Sequence, residues 1–84
     1  MESAEVQEED LYRELQQRAD RISSLILSSD YPAIDVVIQI RNLREFAERH
    51  FPHARDLFRM VYESRFRRLW EQFRADEEEQ LPDW

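Results

Sequence analysis

The chain has 84 residues and not one of them is glycine. Glycine enters left-handed backbone conformations without steric cost, and tight hairpin turns depend on it. A chain without it is poorly suited to hairpin-rich β architecture. The strongest remaining breaks are Pro32, Pro52 and Pro82. Between them the sequence is rich in Glu, Arg, Leu, Gln and Ala, all good helix formers. The fold class expected is all-α: a three-helix up-down-up bundle with an elongated third helix. At this length one domain is the upper bound, and a single core supplies only about 3–5 kcal/mol of net stability. With no Cys, disulfides and thiolate metal sites are excluded, so oligomerisation is the remedy open to such a chain.

Composition divides the chain. Residues 1–8 read as a disordered acidic lead-in, residues 9–75 as a single helical domain, and residues 76–84 as an acidic tail. In the first helix Leu11, Leu15, Ile22, Leu25 and Ile26 form one stripe, with Tyr12 and Ala19 beside it. Residues 33–40 support two readings. Ile34, Val36, Ile38 and Ile40 alternate like a strand, whereas Val36, Val37, Ile40, Leu43, Ala47 and Phe51 form a helical face. Helix is preferred, because a lone strand would have no partner. That helix would be apolar nearly all round, hence buried on two sides.

The third helix is expected over residues 52–79, and residues 57–73 dominate it with three of the five Phe and one of the two Trp. Leu57, Phe58, Val61, Tyr62, Phe66, Leu69, Trp70 and Phe73 recur at three- and four-residue steps. At the period of an α-helix this apolar face drifts. The reading assigns Leu57, Phe58 and Val61 to the inside of the bundle. Phe66, Leu69, Trp70 and Phe73, rimmed by Arg65 and Arg68, turn outward as an interface. Large aromatics and Arg are what interface centres favour. The partner expected is a second copy in a homodimer, or another protein. The acidic lead to Leu81, Pro82 and Trp84 resembles a short docking tail.

The formal net charge is −7, which disfavours nucleic acid and anionic membranes as partners. No apolar run approaches the roughly 20 residues of a membrane span, and MESAEVQEED lacks the apolar core of a signal peptide. A cytoplasmic location is expected. No phosphate loop can be built without Gly. His50 and His53, near Glu45, Glu48 and Asp56, are metal-compatible residue types, but the Pro52 bend between them prevents a preset chelate and no metal or other cofactor is expected. Arg44 and His50 resemble the spaced arginine and histidine of HEPN-type ribonucleases, with Glu45 standing where Asn, Asp or His is usual. That resemblance implies an alternative reading, a small nuclease-like helical domain using Arg44 and His50. A second alternative is a nucleic-acid-binding regulator through Arg65, Arg67, Arg68 and Arg74, whose charge Glu63, Glu71 and the acids of the tail oppose. The reading adopted is a small helical protein–protein interaction module without catalytic residues.

Overall fold

The computed structural model describes residues 4–28 and 30–80, and these are 91% helical, with no strand among them. Helix α1 spans Ala4–Leu27 and helix α2 spans Ala33–His50. The strand-like alternation at residues 33–40 is therefore helix. The third helical segment opens with the 3-10 turn Pro52–Ala54 and continues as α3 (Arg55–Phe58). It then makes a π turn over Arg59–Glu63 and closes as α4 (Ser64–Phe73). The junction residues Phe58, Arg59, Glu63 and Ser64 all keep right-handed helical angles, so residues 52–73 form one rod. That rod ends at Phe73. Residues Ala75–Gln80 form 3-10 turns, with Glu77 leaving helical geometry at φ −110° and ψ 23°. Pro82 and the docking tail of Leu81 and Trp84 lie outside the described residues.

The π turn decides which side chains enter the core. Phe58, Tyr62, Phe66 and Trp70 are buried at strict four-residue spacing, and Arg74 continues the series. In an uninterrupted α-helix a four-residue step advances about 40° past a full turn, so the series would rotate by about 160° from end to end. A π turn accommodates one extra residue and turns the remainder back by about 100°. Its hydrogen bond is from the Ser64 N–H to the Arg59 carbonyl, which the Ser64 hydroxyl also approaches at 3.2 Å. The buried residues therefore share one face.

That face packs on Leu15, Ala19, Ile22 and Ile26 of α1 and on Ala33, Val36, Val37, Ile40, Leu43 and Ala47 of α2. The expectation that α2 is buried on two sides is corrected: Ile34 and Ile38 are exposed, and only one side of the helix enters the core. The contacts between helices have a regular order. Tyr12 meets the Phe51 ring edge-on at 6.1 Å, and Arg18 stacks on Phe46 at 4.4 Å. Arg44 reaches Glu63, Arg65 reaches Asp20, and Arg74 reaches the end of α1.

The last of these contacts replaces a missing cap. Helix α1 carries no basic residue in its last turn, and no glycine follows it to turn the chain. Arg74 binds the carbonyls at this end and in the turn that follows, of which those of Leu25 and Ser28 also accept from the Ser28 and Tyr31 N–H groups. The Arg74 Nε donates to the Ile26 carbonyl at 2.8 Å, and Nη2 donates to those of Leu25 at 3.0 Å, Tyr31 at 2.7 Å and Ser28. Nη1 donates to the Glu77 carboxylate at 3.2 Å. The guanidinium is buried, lies 5.7 Å from the Trp70 ring, and brings positive charge to the negative pole of α1. Removing it leaves the Ile26 and Tyr31 carbonyls without a partner among the described residues. Arg74→Gln should lower stability by at least about 3 kcal/mol, since single hydrogen bonds to charged groups contribute ~1.5–3 kcal/mol. Urea titration followed by circular dichroism measures this, and a loss below about 1 kcal/mol would refute the capping role.

Candidate functional site

The structure exchanges the two faces expected of residues 57–73. Phe66 and Trp70 are fully buried, at 0% exposure, so neither is available to a partner. Leu69 is half-buried against the same core. Of the expected interface only Phe73 and Arg68 are exposed, and Arg65 is half-buried, 5.6 Å over the Tyr62 ring and 3.6 Å from Asp20. Conversely, Leu57 and Val61, expected inside, are 57% and 41% exposed. The cause is the π turn, which rotates the second half of the rod into the bundle.

What the rod presents to solvent is an apolar face made of Leu57, Met60 and Val61, with Met60 the most open at 73% exposure. Tyr12 of α1, 47% exposed, extends it across the helix junction. A groove of about 150 Å³ runs under these residues, walled by Tyr12, Leu15, Phe51, Leu57, Val61 and Tyr62. A second depression on the far side of Tyr12 and Phe51 is bordered by Glu8, Glu9, Arg13 and His53. The surface thus has an apolar middle and a border at the N-terminal end of α1 in which two carboxylates face one guanidinium. Arg65 and Arg68 lie at the opposite end, one to two turns beyond Val61.

Beneath the face, burial holds the Tyr62 phenol above its ordinary pKa, and nearby Tyr12 adds to the effect. The neutral phenol is the form the fold favours. The stabilisation is complete below the unfolded tyrosine pKa of about 10 and is lost as pH rises above it. The thermal midpoint should therefore fall above about pH 10, and Tyr62→Phe should flatten part of that fall. An unchanged alkaline profile in Tyr62→Phe would show that Tyr62 carries none of it.

On the other flank of the rod, Glu63 is a buried carboxylate inside the π turn. Arg44 donates to it from Nε at 2.6 Å, and Arg59 lies 3.6 Å away. Arg44 Nη2 is buried with no hydrogen-bond partner among the described residues. A niche of about 50 Å³ opens beside the pair, where Arg55 approaches Glu48 at 3.7 Å. Each arginine here already faces a carboxylate, so the cluster joins α2 to the rod. Glu63→Gln should cost roughly 2–4 kcal/mol by leaving a partly buried guanidinium without its counter-charge, and Arg44→Met combined with Glu63→Leu should cost less than that single change. Denaturant titration of the three variants separates the two effects.

The other sequence candidates do not converge. Arg44 points to Glu63, whereas the His50 ring packs on Phe46 at 4.6 Å, and Phe46 in turn lies under Arg18 of α1. The two side chains of the nuclease-like reading thus engage different neighbours. Within the basic cluster on the rod, Arg65 faces Asp20, Arg67 is occupied by Glu71 at 3.3 Å and Arg74 by the α1 carbonyls, which leaves Arg68 as the member of that cluster with no ion pair among the described residues. No three or more His, Cys, Asp or Glu side chains gather as a metal site among the described residues, and no described helix is long and apolar enough to cross a membrane. The sequence reading missed Met60 and gave Glu63 and Arg74 surface roles, and the signal that places Arg74 inside is its continuation of the four-residue recurrence of Phe58, Tyr62, Phe66 and Trp70. No protein-family model, curated protein or solved structure matches the chain.

Proposed function

We propose that the chain is a protein–protein interaction module, a small adaptor, accessory or regulatory subunit, built as an up-down-up three-helix bundle that self-associates as a homodimer. The contacts described above support the topology. Residues late in α2 meet residues early in α1, whereas the start and end of the rod meet the start and end of α1. The observation that carries the function is the exposed apolar face of Leu57, Met60, Val61 and Tyr12. Three of these side chains, Tyr12, Leu57 and Val61, gather at one groove with Met60 exposed beside them, and such patches mark interaction sites. They lie on a rigid helix, whose shape a partner meets already formed. A small Cys-free core gains most from burying them against a second copy.

The contrast between the two faces of the rod supplies the test. Met60→Glu places a charge in the middle of the exposed face and touches nothing in the core. It should convert the dimer to monomer in sedimentation equilibrium and leave the helical circular dichroism unchanged. Trp70→Ala, a core truncation, should instead lower stability by about 3–5 kcal/mol. A wild-type chain that sediments as a monomer, or a dimer indifferent to Met60→Glu, would remove this reading.

A further inference from the structure

Resting on the reading that the chain self-associates, we infer that the second copy docks antiparallel on this face, about a twofold axis passing beside Met60. The inference comes from the charges that border the apolar residues. Asp56 lies one turn before Met60 on the exposed side of the rod, and Glu8 and Glu9 lie near Tyr12 at the same end, where together they outnumber Arg13. Arg68 lies two turns beyond Met60, exposed and with no ion pair among the described residues. The face is therefore negative at one end, apolar in the middle and positive at the other. A twofold contact brings the same patch of both copies together, so that patch must complement itself. With Met60 near Met60 at the centre, antiparallel docking sets Asp56 of each copy opposite Ser64 of the other, within reach of the Arg68 side chain one turn further on, since long helix side chains lean back toward the start of their helix. Parallel docking would place Asp56 against Asp56 and Arg68 against Arg68, which is repulsive at both ends.

The absence of cysteine makes the geometry directly measurable. In a chain carrying Met60→Cys, each new thiol lies near its own symmetry mate, and mild oxidation should link the copies into a covalent dimer. Ile34→Cys, at another exposed apolar position on α2, should remain unlinked. Charge reversal gives a second readout that needs no cysteine. Asp56→Arg should weaken dimerisation roughly three- to thirtyfold, as should Arg68→Asp, because each change is made twice in a symmetric dimer. The combined variant should recover most of the affinity, and circular dichroism checks that each variant remains folded. If the wild-type chain sediments as a dimer while Met60→Cys stays unlinked and the combined reversal restores nothing, the antiparallel axis is wrong and self-association stands. If the wild-type chain remains monomeric at about 100 µM, the face belongs to a foreign partner and both readings fall.

Discussion

The structure depends most on a single guanidinium. Arg74 belongs to the end of the third helical segment, yet it serves the end of the first. A helix that stops leaves its last carbonyls without partners, and the usual solution is a glycine that turns the chain back on itself. Here there is none, and α1 ends in apolar and hydroxyl residues that bring no charge to its negative pole. Arg74 supplies both the donors and the charge from 48 residues away. The arrangement couples three elements: the end of α1, the turn leading to α2, and the turn after Phe73 through Glu77. The carbonyl of Glu77 also accepts from the Trp70 indole at 3.2 Å, which fixes the largest core side chain at the same junction. Because the cap arrives late in the sequence, α1 and α2 alone make an unfinished unit during synthesis.

How much was legible in the sequence follows from these residues. The helical class came from the missing glycine and from the three- and four-residue stripes. The strand-like alternation at residues 33–40 was an ambiguity of short β-branched runs, and the continuous face through Leu43 and Ala47 settled it as helix. Helical period alone could not assign the faces of the rod. A reader who applies 3.6 residues per turn to residues 57–73 finds a stripe that rotates, and concludes that its second half faces outward. The chain instead corrects the rotation with one wide turn. Phe66 and Trp70 go inside, and Leu57 and Val61 come out. Nothing in the local composition announces a π turn. Only the persistence of four-residue spacing over five bulky side chains hints at one.

The candidate site was legible in kind and misplaced in position. An apolar excess on the third helix was visible, since the chain has more large side chains there than its own core can cover. Which of them remain uncovered is set by the junction with α1 and by Glu63, and neither is local to the stripe. In the sequence Glu63 is one of the acids opposing the basic cluster, and it stands at helical spacing from Arg67. In the fold it is buried by the same rotation and taken by Arg44 of α2, while Arg67 pairs with Glu71. Tertiary contact overrode a weak local preference, as exposed pairs on a helix contribute only a few tenths of a kcal/mol.

The wide turn at Arg59–Glu63 also governs what kinds of genetic change the chain can absorb. Met60 and Val61 are exposed, and their side chains can be exchanged without disturbing the interior. One residue of the turn is supernumerary. Deleting it would restore an ordinary helix in which Phe66, Trp70 and Arg74 keep their facing, because the lost step of about 100° equals the rotation that the wide turn takes out. Inserting a further residue would carry Phe66 and Trp70 out of the core and Arg74 away from the α1 carbonyls. In this segment the chain can lose a residue more readily than it can gain one.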